Sequence, residues 1–226
     1  MSNTDSFIDE VTEEVRRDRL YMLLRRYGWI AGLVLVLIIG GVGWLELRKA
    51  QAKAEAEALG DAMLAALSVD ESTARATALA GIDTSSAQGA AVLRLMTAAE
   101  QTQAGDIPAA VATLDQLAID GEVPAIYRQV AQFKALTLQA GTKDAAERRL
   151  AFEALAQPGN PLRLLASEQL ALIDIETGDT DAALARYQDI IGDAELTQDL
   201  QQRALQVIVA LGGTPAADAA GLGTDN

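Results

Sequence analysis

A chain of 226 residues with a net charge of −14, no cysteine and no histidine is closed to several chemistries at once. Disulfides, thiolate metal sites, cysteine nucleophiles and histidine acid–base or triad chemistry are all excluded, and zinc or haem would have to rest on carboxylates, Met or Tyr. The acidic balance argues against nucleic acid, which needs a Lys/Arg face to release counterions, and abundant alanine with only 4% aromatics favours close-packed helices over sheet.

Residues 1–27 read as a cytoplasmic amphipathic arm. Ser6 is placed to cap a helix, and Asp9, Glu10, Glu13 and Glu14 crowd the positive end of its dipole. Phe7, Val11 and Val15 recur at spacing four and form one apolar stripe. From Arg16 the arm turns basic and apolar, which suits an anionic membrane surface. Two readings stay open: a solvated charged lead-in, and an acidic half that docks a cytoplasmic protein.

Residues 28–45, "GWIAGLVLVLIIGGVGWL", carry no charge and include ten Ile, Leu or Val residues. Eighteen residues are about what a bilayer-crossing helix requires. Tyr27, Trp29 and Trp44 stand at its ends, where amphipathic rings sit among lipid headgroups, so membrane lipids are expected neighbours. A buried core helix competes with this reading, but rarely stays free of charge over such a length. A cleaved signal peptide competes too, since "AQA" at 50–52 resembles a cleavage site; the acid-rich leader and the intervening Arg48 and Lys49 argue against it. Arg16, Arg17, Arg19, Arg25 and Arg26 precede the run, against Arg48, Lys49 and Lys53 after it, which favours a cytoplasmic N-terminus and a periplasmic C-terminal domain. Gly28 and Gly32, and the cluster around Gly40 and Gly43, offer small faces for helix contact; simple helix flexibility is the competing reading.

Residues 46–211 read as a repeat domain, and the chain after position 45 has a formal charge of −13. Its first helix continues the span, with Leu59, Met63 and Leu67 at spacing four. "GDIPAAVATL" (105–114) and "GDTDAALARY" (178–187) match 73 residues apart, and "GTKDAAERRL" (141–150) lies midway. The alignment pairs Gly105, Gly141 and Gly178 as turns, Ala110, Ala146 and Ala183 as small crossing points, and Leu114, Leu150 and Tyr187 as space-fillers; Asp106 and Asp179 are placed as caps. An earlier stretch, "DESTARATAL", offers Leu79 at the large position and Arg75 at the small one. A period near 36 with a Gly-containing turn between helical patterns indicates stacked helical hairpins.

These hairpins resemble the tetratricopeptide repeat family from about Ser68 to Leu211. The match is degenerate: Arg94 and Gln101 stand where the family expects large apolar groups, and only Pro158 falls in register as a closing proline. If the family register holds, Leu95, Ala99, Leu165, Leu172 and Ile175 face the concave side; filling the space between helices is the competing reading for each. The arm "EVRRDRLYMLLRRYGW", one span and alanine-rich repeats together resemble the YfgM-like family of bacterial inner-membrane proteins. That resemblance implies a single-pass inner-membrane protein with a cytoplasmic N-terminus, a periplasmic repeat domain, association with the SecYEG translocon, and a chaperone-like role toward periplasmic clients. An accessory subunit of another inner-membrane assembly, such as a respiratory complex, is the alternative.

The tail, residues 212–226, has Gly, Pro and small polar residues with no stripe to bury, and is expected to be disordered. The acid clusters match no calcium-loop spacing, and no glycine-rich phosphate loop follows a strand. The fold class is therefore all-α, a transmembrane helix followed by a hairpin solenoid; neither a catalytic site nor a cofactor is expected.

Overall fold

The protein's structure is a computed structural model that describes residues 3–214; within its first helix the described side chains are those of Arg25, Arg26, Trp29, Ile30 and residue 32 onward. Among the described residues it is all-helical. The helices are α1 (Asn3–Leu67), α2 (Ser72–Ala80), α3 (Ala87–Gln103), α4 (Ile107–Ile119), α5 (Ala125–Leu138), α6 (Ala145–Leu155), α7 (Arg163–Glu176), α8 (Thr180–Ile191) and α9 (Gln198–Ala210). The chain divides into two units between Ala58 and Leu59.

The first unit is the long stem of α1. Every residue from Gly32 to Ala58 is exposed, including Leu33, Leu35, Leu37, Ile39, Val42 and Leu45. Built on Gly32, Gly40 or Gly43, a Cβ would meet nothing within 4 Å. Among the described residues no helix is long and apolar enough to cross a membrane. The side chains of Tyr27, Gly28 and Ala31, and of the arm before Arg25, lie outside the described ones; the described uncharged run is Gly32–Leu45.

In the second unit the last turns of α1 carry Leu59, Met63, Ala66 and Leu67 onto a cluster with Leu79 and Leu93, as their spacing predicts. From α2 to α9 each helix packs chiefly on the next in the chain. Three further clusters follow in order, around Leu114 and Leu117, around Phe152 and Leu170, and around Tyr187 and Leu200. The exposed side of α9 carries Gln202, Gln206 and Val209.

Helices α4 and α8 form as their turns dictate. Gly105 and Gly178 adopt φ +78° and +84°, a region that penalises any Cβ. The next amide reverses the chain at each, Asp106 N–H donating to Gln101 O (2.9 Å) and Asp179 N–H to Asp174 O (2.8 Å). The Asp106 and Asp179 carboxylates then accept from the amides of Ala109 and Ala182, both at 3.1 Å. Four residues past each cap, Ala110 and Ala183 are fully buried, and eight past, Leu114 and Tyr187 are 1% exposed.

The middle copy departs from the expected register. Gly141 does turn with φ +78°, but two extra residues follow before the cap, which is Asp144, accepting from Ala146 N–H (2.8 Å). Counting from that cap, the crossing position is Arg148 and the filling position is Phe152, both buried. Ala146 is exposed and Leu150 is 71% exposed. The expected alignment of Ala146 and Leu150 with the other copies is therefore corrected by two residues: the cap, not the glycine, starts the helical count.

In α2 the cap position is Glu71, and Arg75 and Leu79 follow four and eight residues later, Leu79 fully buried. Arginine thus occupies the crossing position in α2 and α6, and alanine in α4 and α8. Packing follows this alternation. Helices α4 and α8 lie close against the helix before them, whereas α1–α2 and α5–α6 are the thinnest joints between neighbouring helices. A methyl group at the crossing point lets two backbones approach, whereas the Arg75 and Arg148 guanidiniums reach onward to Glu100 on α3 and Glu176 on α7.

Gly212 (φ +80°) and Gly213 close α9, with Gly213 N–H donating to Ile208 O (2.8 Å), and a Cβ on Gly213 would lie 2.7 Å from Leu184. Residues 215–226 lie outside the described ones.

Candidate binding groove

Helices α3, α4 and α5 enclose an open cavity of about 330 Å³. Its floor is Ala98 and Leu114, both buried; Leu95, Phe133 and Leu138 form its walls; Ala99 and Lys134 stand at its rim. The local cause is small side chains on α3. Between Leu95 and Thr102 the pocket-facing residues are alanines, so α3 lacks the bulk to fill the space opposite Phe133. Phe133 is held from behind by an edge-to-face contact with Phe152, ring centroids 5.7 Å apart.

Polar groups in the lining are mostly consumed by their own helices. The Thr102 hydroxyl donates to Ala98 O (2.7 Å) and the Thr137 hydroxyl to Phe133 O (2.9 Å). That leaves Lys134 as the charged group of the cavity. Most arginines of the stack pair with acids, Arg75 with Glu100, Arg94 with Asp120, Arg148 with Glu176, Arg163 with Asp193 and Arg203 with Glu168; Arg128, also on α5, is an exception among the described residues. Lys134 has no carboxylate partner among the described residues.

Of the residues expected to line a groove, the structure brings together only Leu95 and Ala99. Leu165, Leu172 and Ile175 all lie on α7, outside this cavity; Ile175 packs against the Tyr187–Leu200 cluster and Leu172 is exposed. The physical reason lies in the second copy of the pattern. Seventy-three residues after Leu95 stands Glu168, which Arg203 on α9 holds through two bonds of 2.8 and 2.9 Å. Tyr187 fills the floor where Leu114 sits in the first copy. Phe133, Leu138 and Lys134 were not singled out by the repeat pattern, because α5 carries no turn motif of its own. The lone lysine of "QFKAL" in an acidic domain was the available signal.

Two turns repeat the 73-residue relation with their charges. Asp120 and Asp193 each accept from the amide two residues on, Glu122 (3.1 Å) and Glu195 (2.9 Å), and each pairs with an arginine on the first helix of its hairpin, Arg94 on α3 and Arg163 on α7. The Arg94 guanidinium holds the Asp120 carboxyl below its ordinary range, helped by the Glu122 amide. Arg163 holds Asp193 down to about 2, helped by the Glu195 amide. Burial, with Glu168 nearby, pushes the Tyr187 hydroxyl up to about 12. Asp174, 2% exposed, is bridged by Arg149 (2.6 Å) and Arg186 (3.1 Å). These carboxylates are occupied in holding helices together. Among the described residues no group of three His, Cys, Asp or Glu side chains could hold a metal ion.

At the stem, Arg25, Arg26, Trp29 and Trp44 are all exposed. The Arg48 guanidinium lies 4.0 Å over the Trp44 ring, one turn further on. No protein family, curated protein or solved structure matches this chain.

Proposed function

We propose that the chain is a membrane-anchored scaffold, its α1 stem crossing the bacterial inner membrane and its helical hairpins forming a tetratricopeptide-like stack in the periplasm. The observation that carries the reading is the uncharged run Gly32–Leu45, every residue of which is exposed. Water tolerates so long a bare apolar helix poorly, and a lipid interior favours it. The whole uncharged run, residues 28–45, has 18 residues, which at about 1.5 Å rise span about 27 Å, close to the ~30 Å hydrocarbon core. The cation–π pair of Trp44 and Arg48 suits a headgroup layer at one end.

The work of the protein is then contact rather than chemistry. Its buried acids, Glu100, Glu168 and Asp174, are engaged in ion pairs, its net charge is −14, and its stack offers an open groove. Together with the resemblance to YfgM-like proteins, this favours an ancillary, chaperone-like role at the SecYEG translocon, toward exported or membrane proteins.

Affinity capture of the tagged full chain from solubilised membranes, read by mass spectrometry, tests the reading. Translocon subunits should co-purify. Enrichment of respiratory-complex subunits instead would replace the proposed partner. Substituting Leu37→Arg, at about 2.5–3.5 kcal/mol for a charge mid-span, should shift the chain toward the soluble fraction; a chain already soluble before substitution would overturn the anchoring.

A further inference from the structure

The groove between α3 and α5 has a specific chemistry, independent of where the stem resides. We infer that it binds the acyl chain of a monoanionic carboxylate, a fatty acid, with the carboxylate on Lys134. Three observations lead there. The cavity, about 330 Å³, falls within the range of small-ligand sites, and its wall is aliphatic and aromatic through Leu95, Leu114, Phe133 and Leu138. Lys134, exposed at the rim, has no acid beside it among the described residues, although the chain's net charge is −14. The lining hydroxyls of Thr102 and Thr137 donate to their own helix carbonyls.

This set of groups discriminates among occupants. An extended peptide brings a donor and an acceptor at every residue, and helical walls whose backbone bonds are already made leave it only the Thr102 and Thr137 oxygens and the Lys134 ammonium. A fatty acid brings one polar end and needs one partner. A phosphate dianion would leave one charge uncompensated, because a single ammonium faces it within an acidic domain. An amine would meet Lys134 with like charge. The second copy of the pattern lacks these features: Glu168 replaces Leu95 and is locked by Arg203.

The test uses the full chain in nanodiscs of neutral lipid and a decanoate carrying a photoreactive diazirine at its terminal carbon. Adducts should map to peptides covering Leu95–Leu114 and Phe133–Leu138. Unlabelled decanoate should suppress them at least tenfold, and decylamine should not. Across hexanoate, octanoate and decanoate the competing concentration should fall about fourfold per added methylene until the cavity is full. Lys134→Glu should cut labelling at least tenfold while Lys134→Arg retains it; Lys134 is exposed, so neither change disturbs the core. Ala99→Trp, at the rim, should block the groove with the charge intact. Adducts confined to α1, equal competition by decylamine, or labelling indifferent to Lys134→Glu would overturn the assignment. So would a leucine-rich pentapeptide that displaces the probe at lower concentration than decanoate.

Discussion

Replacing Phe152 by alanine and, separately, Leu150 by alanine sets the two registers of the middle hairpin against each other. Phe152 is fully buried, and its ring meets Phe133 edge-on at 5.7 Å. Truncating such a phenylalanine costs about 3–5 kcal/mol in transfer and cavity energy. The aromatic pair accounts for about 0.5–1.5 kcal/mol beyond area burial, which places Phe152→Ala in the upper half of that range. Leu150 is 71% exposed and loses little contact, so Leu150→Ala should stay within about 0.5 kcal/mol. Urea unfolding of the full chain, followed by far-ultraviolet circular dichroism in nanodiscs, resolves the difference. With m about 2 kcal/mol/M, a 4 kcal/mol loss moves the midpoint by about 2 M. Equal costs at both positions, or a larger cost at Leu150, would refute the cap-based count.

Ala183→Leu should cost about 1–3 kcal/mol by overpacking the close crossing of α7 and α8, while Ala146→Leu, on an exposed face, should be nearly neutral in the same unfolding assay. Asp193, held down to about 2 by Arg163, contributes stability that is present above pH ~4 and is lost as pH falls toward 2; Asp193→Asn should flatten that acid limb of the unfolding midpoint. Tyr187, pushed up to about 12, should be a late-ionising phenol among the four tyrosines in an absorbance titration at 295 nm. Its contribution is intact below pH ~10 and is lost as pH rises through 12, so Tyr187→Phe should extend stability into alkali.

The helical class, the turns at Gly105 and Gly178, their aspartate caps, and the small and large positions behind them were legible because local rules govern all of them. A positive φ needs glycine, an orphan amide needs an oxygen, and burial follows the helical count from the cap. The middle hairpin was misread for the same reason. Its glycine was conspicuous, while the two residues inserted before Asp144 left no mark in composition. The groove was half legible. Leu95 and Ala99 lie on a helix whose partner carries a turn motif. Lys134 and Phe133 lie on α5, and nothing local says that their face opens onto space left by the alanines of α3. Arg75 at the crossing position looked like a failure of the repeat, and Arg148 was not aligned there at all; their carboxylate partners, Glu100 and Glu176, lie more than twenty residues away and become visible only when the helices stack.

The alternation of arginine and alanine at successive crossings has a consequence for how such a chain can change length. Excising one hairpin would bring two arginine seams, or two alanine ones, side by side, and each flanking helix would inherit a neighbour of the wrong kind. Removing or duplicating a 73-residue pair leaves every seam with the partner it was shaped for.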